Sequence, residues 1–171
     1  MSVPLTALTL AYWLHMLATV VWIGGIGSLA LLVLPAANKV LDASAYAALL
    51  ERIQKRLDPL GWICLAVLAA TGLVQMSANP NYQGFIAIHN RWAAAILVKH
   101  LLFLVMAGIS VYLSWGLLPK LRRLALQRHR LPAETLSEQA VKLSRQEVFL
   151  YRLNLILGVL VLALTAIARS A

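Results

Sequence analysis

Apolar residues form four long runs along the chain, at about 5–34, 59–78, 92–118 and 153–168. Each run approaches or exceeds the roughly 20 residues that a helix needs to cross a bilayer. Strand-like alternation is absent from all four runs. Because backbone groups in lipid must be hydrogen-bonded within their own segment, each run is predicted to be a transmembrane helix. The pattern therefore predicts an all-α membrane protein, an antiparallel four-helix bundle that forms a single domain over residues 1–171.

Two polar connections, at 38–58 and 119–152, separate these runs. In the first, apolar residues recur at helical spacing beside charged ones. This spacing predicts a short cytoplasmic amphipathic helix or an inward extension of the second span. Asp58-Pro59 is predicted to be the N-cap and first turn of the second span, and Pro119 to end the third. The segment from Pro132 can open a helix that continues into the fourth span.

Basic residues are concentrated in the two connections, which hold twelve of the fifteen Lys and Arg side chains. The connection at 79–91 holds only Arg91, and nothing basic precedes the first run. The positive-inside rule therefore predicts that both long connections are cytoplasmic and that both termini lie outside. The first run is too long for the roughly 7–15 residue core of a signal peptide, so we expect it to be retained. A bacterial inner membrane is the expected location.

Composition narrows the class of protein further. Apolar residues make up 61% of the chain and charged residues 12%. In a typical soluble domain about 45–50% of the residues are apolar and about 25% are charged. An ordinary soluble globule is therefore excluded. The net charge of +9 is explained by topology, and no basic platform with interleaved aromatic residues indicates nucleic-acid binding. The single cysteine, Cys64, excludes an internal disulfide and a thiolate metal cage.

Two histidines fall at the same expected depth. His15 lies eight residues after Ala7, and His100 eight residues after Trp92, where their helices are expected to enter from outside. Both imidazoles should therefore lie about 12 Å below the outer end of the bundle. Such a pair could provide the axial ligands of haem b or bind copper or zinc. Alternatively, each histidine could simply hydrogen-bond to a neighbouring helix.

Lys99 is a cation deep within the third run. Its ammonium group could extend to the outer headgroups, or it could face inward and bind a propionate, a quinone oxygen or a metal-bound species. Adjacent positions on a helix point about 100° apart, so Lys99 and His100 cannot share one direction. The sequence leaves open which of the two faces the interior.

Methionine sulfur favours Cu(I), and three methionines lie in the outer half or middle of the first three runs: Met16, Met76 and Met106. They are candidate copper ligands, with core packing as the alternative. Met16 should point about 100° away from His15. His89 could guide a metal inward or be a solvated loop residue, and His129 is interpreted as a surface residue. Asn154 could hydrogen-bond to another helix.

Several short motifs resemble the copper resistance D (CopD) family. The first helix carries Tyr12-Trp13-Leu14-His15 and Trp22-Ile23-Gly24-Gly25. The later helices carry Ala70-Thr71-Gly72, Leu97-Val98-Lys99 and Tyr151-Arg152-Leu153-Asn154 with Gly158. The resemblance covers most of the chain and implies a membrane protein of copper handling. A more distant resemblance is to HemJ-type protoporphyrinogen oxidases, whose haem-binding histidine and lysine would correspond to His15 and Lys99.

Three functional hypotheses follow. The first is a membrane protein that binds haem b or copper near its outer face, for copper handling or electron transfer. The second is a cofactor-free accessory subunit of a larger respiratory or photosynthetic complex. The third is a haem-dependent porphyrinogen oxidase. The expected partners are the lipid bilayer and either other integral membrane subunits or further copies of the chain.

Overall fold

The computed structural model describes residues 3–84, 90–126 and 133–170. Four helices fill these ranges almost completely: α1 is Leu5–Val40, α2 is Ala43–Ser77, α3 spans 91–126 and α4 is Ala133–Ser170. All four are long and apolar enough to cross a membrane, and the described ranges contain no strand. The predicted all-α bundle of four membrane helices is confirmed. The side of the membrane on which each end lies stays a prediction.

Neighbouring helices in the chain pack as two hairpins, α1 against α2 and α3 against α4. Contacts between α1 and α4, and between α2 and the second half of α3, join the two hairpins. The Trp22 ring packs edge-on to that of Phe103, with centroids 6.0 Å apart. We call the end of the bundle with Leu5, Ser77 and Arg91 the histidine end. The opposite end, with Val40 and Ala43, is the connection end.

Helix α2 begins well before its apolar run. Asp42 is its N-cap, and the Asp42 carboxylate accepts a hydrogen bond of 2.7 Å from the backbone N–H of Ala45. The amphipathic segment is thus an inward extension of the second span, and the N-cap predicted at Asp58 is wrong. Helix α2 continues through Pro59. Tyr46 and Leu50, in its first turns, are therefore part of the buried core.

The long helices α1 and α3 each contain a π turn, at Leu29–Val33 and Tyr112–Leu117. In each case a proline, Pro35 or Pro119, follows within two residues. Proline lacks the backbone N–H that would bond to the carbonyl four residues earlier, and its ring crowds that carbonyl. A widened turn just before the proline accommodates both effects. The prediction that Pro119 ends the helix is therefore wrong, and α3 continues to Leu126.

The fourth apolar run is the second half of a much longer helix. Helix α4 begins at Ala133 and continues without interruption to Ser170, as the sequence from Pro132 onward predicts. Most of its first half is polar, yet Ser144, Glu147 and Tyr151 are buried there. The connection end therefore contains a packed polar interior.

Candidate functional site

His15 lies on the face of α1 that packs against α2. Its ring nitrogen Nδ1 is 2.8 Å from the hydroxyl oxygen of Thr71. The ring also lies close to the next residue of α2, because a Cβ atom added at Gly72 would be 3.5 Å from the His15 Cε1 atom. The Thr71-Gly72 pair thus supplies both a polar partner and space for the imidazole.

The Thr71 hydroxyl determines which ring nitrogen of His15 carries the proton. That hydroxyl donates its only hydrogen to the backbone carbonyl of Val67, at 2.5 Å. It can therefore only accept from His15, so Nδ1 carries the hydrogen. The lone pair of the neutral ring is then on Nε2, the usual state of a metal-binding histidine oriented by a second hydrogen bond.

A cationic side chain from the other hairpin lies near this imidazole, and a second cation lies near the first. Lys99 on α3 is within electrostatic range of His15, and Arg169 near the end of α4 is within range of Lys99. The Arg169 guanidinium also lies 5.9 Å from the centre of the Tyr12 ring, a cation–π distance. His15, Thr71, Lys99 and Arg169 form what we call the His15 cluster. It contains one residue from each helix.

His100, the second predicted ligand, is half-buried one position after Lys99. Its Nδ1 lies 2.7 Å from the carbonyl oxygen of Ile96, one turn earlier in the same helix. A carbonyl can only accept, so this ring also carries its hydrogen on Nδ1. The sequence left open whether Lys99 or His100 faces the interior. The structure brings Lys99 into the range of His15, while a joint role for His15 and His100 stays a prediction.

The three methionines lie in different environments. Met16 is 61% exposed, whereas Met76 and Met106 are buried. Met106 packs beside Gly158 in the centre of the bundle. Their role as copper ligands stays a prediction. Within the described ranges, no group of three or more His, Cys, Asp or Glu side chains is placed to share a metal ion. His89 and His129 lie outside the described residues.

The His15 cluster combines one imidazole nitrogen that could bind a metal with two cationic groups. Among the described residues, no Asp or Glu lies in the half of the bundle that contains the cluster. Such a set favours a ligand that carries both a metal centre and negative charges. A bare metal cation is less well matched, because each unit charge within about 8 Å repels it by about 2 kcal/mol at an effective dielectric constant of about 20.

A second group of polar residues is buried at the connection end, where α2 and α4 meet. The Tyr46 hydroxyl donates to the Glu147 carboxylate at 3.3 Å, and the Gln54 amide donates to the Tyr151 hydroxyl at 3.2 Å. Glu147 is only 1% exposed. One oxygen each of Gln54, Glu147 and Asn154 has no hydrogen-bond partner. A buried acceptor in that state costs about 1–3 kcal/mol unless water or a ligand bonds to it.

Sequence reasoning missed this group because it treated residues 119–152 as a connection. A signal was present nonetheless. Glu147, Tyr151 and Asn154 recur at the spacing of one helix face, and so do Tyr46, Leu50 and Gln54 on α2. Asn154, which was expected to bridge to another helix, does so: its amide donates to the Ser110 hydroxyl of α3 at 3.3 Å.

Comparison with known proteins adds one positive finding. A sequence profile of the family described as copper resistance protein D matches residues 51–168, more than half of the chain. The matched segment includes Thr71, Lys99 and Asn154 and begins after His15. No curated protein and no solved structure matches the chain.

Proposed function

Since the chain belongs to the copper resistance protein D family, we propose that it serves copper handling from within the membrane and holds haem b at the His15 cluster. One observation carries the choice of haem over a bare copper ion. An imidazole with its lone pair on Nε2 lies in electrostatic range of the cation Lys99, and a second cation, Arg169, lies in range of Lys99. Haem b has an iron that accepts an imidazole nitrogen and two propionates that pair with cations.

Each residue of the His15 cluster would have a distinct role. His15 would bind the haem iron through Nε2, and Thr71 would fix the ring through the hydrogen bond to Nδ1. Lys99 and Arg169 would hold the propionates by charge pairing, with Lys99 half-buried and Arg169 exposed at the end of α4. A bound haem b would supply one-electron transfer, the chemistry that interconverts Cu(II) and Cu(I).

The membrane position of the cluster supports this role. His15 is about 15 Å along the axis from the start of α1 at Leu5, because each helical residue rises 1.5 Å. The positive-inside distribution predicts that this end faces outward. A cofactor there would be reached from the external side, where copper ions arrive.

The proposal is tested by removing one cation. Arg169→Gln is compared with Arg152→Gln, which removes an exposed arginine from α4 nearer the connection end. We expect purified Arg169→Gln protein to lose a substantial fraction of its haem and Arg152→Gln to retain it, as measured from visible spectra and protein concentration.

The alternatives give different results. If the purified chain binds copper stoichiometrically but shows no haem spectrum, the His15 cluster is a copper-ion site and the haem proposal is wrong. If it binds neither and is recovered at fixed stoichiometry with a larger membrane complex, the accessory-subunit hypothesis replaces the proposal.

A further inference from the structure

A groove of about 610 Å³, its open mouth included, lies toward the connection end, beyond the His15 cluster. All four helices contribute to its walls. Trp22 and Trp62 supply aromatic surface, and Asp58, Ser114 and Asn154 supply polar groups. Leu60, which lines the groove, is 43% exposed. The groove therefore opens on the side of the bundle, and we expect its ligand to enter from the membrane.

Asn154 lines the groove, and its side-chain oxygen is buried without a hydrogen-bond partner among the described residues. Its amide donates to the Ser110 hydroxyl, and that hydroxyl donates its only hydrogen to the Met106 carbonyl at 3.0 Å. Reversing the amide would place two acceptors against each other, so the orientation is fixed. The side chain is only 1% exposed, and a group buried to that degree normally has a partner. Asn154 thus requires a hydrogen-bond donor.

A second acceptor lines the same groove. The Asp58 carboxyl group lies near the Ser114 hydroxyl in the groove wall and is half-buried. A carboxylate accepts several hydrogen bonds, so it keeps capacity for a further donor. The groove therefore presents two acceptor groups beside aromatic and aliphatic walls.

We propose that this groove binds the head group of a lipid-soluble hydroquinone. A flat ring suits a cavity bordered by indole rings. Its two hydroxyl groups supply donors for the Asn154 oxygen and the Asp58 carboxylate, and its isoprenoid tail remains in the lipid. The oxidised quinone has only acceptor oxygens, so it leaves Asn154 unsatisfied. The proposal concerns binding alone and is independent of haem at the His15 cluster.

The test compares the two oxidation states of one short-tailed quinone, decylubiquinol and decylubiquinone, with the full chain in lipid nanodiscs under argon. Binding is measured by quenching of tryptophan fluorescence. We expect the reduced form to bind about 5- to 150-fold more tightly, the effect of the two net hydrogen bonds to Asn154 and Asp58. Asn154→Leu should reduce this preference about 3- to 10-fold, because the hydrogen bond to Asp58 remains. Equal affinity of the two forms for the unmodified chain would overturn the proposal.

Two adjacent glycines provide a matched pair of variants. A Cβ atom at Gly25 or at Gly24 meets nothing within 4 Å, but only Gly25 lines the groove and Gly24 is exposed. Gly25→Leu should fill the groove and lower affinity at least tenfold, whereas Gly24→Leu should bind normally. Unchanged binding in Gly25→Leu would overturn the assignment to this groove.

Two further measurements distinguish quinol binding in the groove from an effect of the His15 cluster and from general binding of lipid chains. His15→Ala should bind the quinol normally even if it loses haem, because His15 does not line the groove. A fatty acid such as oleate should compete weakly. If oleate displaces the quinol at equal concentration, the groove is a general site for lipid chains and the proposal is wrong.

Discussion

At Gly158, α4 packs against side chains of both α1 and α3, so a larger residue at this position tests how tightly these three helices pack. A Cβ atom at this position would lie 3.3 Å from the Met106 Cε atom and 3.5 Å from the Ile23 side chain. Met106 is itself buried. Substitution of Gly158 therefore probes the contact that positions α4, and with it Arg169, relative to α1.

The expected magnitudes differ for alanine and leucine. Gly158→Ala gains up to about 1 kcal/mol of helix propensity, and the flexible end of Met106 needs to move only slightly, so we expect little change in stability. Gly158→Leu adds three more carbons to a filled space, which costs about 1–3 kcal/mol. The same displacement should move Arg169 away from Lys99 and reduce haem retention.

The assay is reversible unfolding in mixed micelles of a mild detergent and sodium dodecyl sulfate, followed by circular dichroism. The control is Gly108→Leu, because Gly108 is exposed on α3 and its added Cβ meets nothing within 4 Å. We expect Gly158→Leu to unfold at a lower dodecyl sulfate fraction than Gly108→Leu. If the two variants unfold at the same fraction, the inferred close approach at Gly158 is wrong.

Three more predictions concern individual contacts. Thr71→Val removes the hydrogen-bond partner of His15 Nδ1 and should weaken haem binding about 10- to 100-fold. Thr71→Ser keeps a hydroxyl and should bind haem normally. Equal haem affinity of the two variants would contradict the role of this hydrogen bond. Tyr46→Phe removes a donor from buried Glu147 and should lower the free energy of unfolding by about 1–3 kcal/mol. Tyr112→Phe removes an exposed hydrogen bond from Gln146 and should lower the free energy of unfolding by less. If Tyr112→Phe were the more destabilising of the two, the inferred importance of the buried Tyr46–Glu147 contact would be refuted. Trp62→Leu breaks the stacking of Trp62 on Trp115, whose ring centroids are 5.4 Å apart. In the same assay it should lower the free energy of unfolding by about 0.5–1.5 kcal/mol more than the loss of buried apolar surface alone. An unchanged free energy of unfolding would show that the stacking contributes nothing.

The sequence predicts the four spans well because lipid imposes one requirement on every segment, a continuous apolar run that hydrogen-bonds internally. Beyond the bilayer it predicts the long α4 from Pro132, leaves open whether the amphipathic segment is part of α2, and ends α3 too early. Residues 43–58 and 133–152 are too polar to be recognised as spans, yet they pack as helix because one face of each is buried. The sequence also does not predict that the helices continue past Pro35 and Pro119. A π turn before each proline allows the helix to continue where a proline normally ends it.

The candidate site is predicted only in part. Counting helical rise places His15 and the Lys99-His100 pair at one depth, but it cannot determine which neighbour faces His15, since that depends on the rotation of α3. Arg169 is missed because it lies at the end of the last apolar run, where a cation is typical of an interface. The partnership of Thr71 with His15 depends on the packing of α1 on α2, which no spacing within one helix reveals.

The central claim is that the His15 cluster binds haem b, and the most direct measurement is the haem content of the intact purified chain. We expect a b-type visible spectrum with sharp bands on reduction, at one haem per chain, and the loss of that spectrum in His15→Ala while Met16→Ala retains it. A folded chain without this spectrum, or a spectrum unchanged in His15→Ala, would contradict the claim.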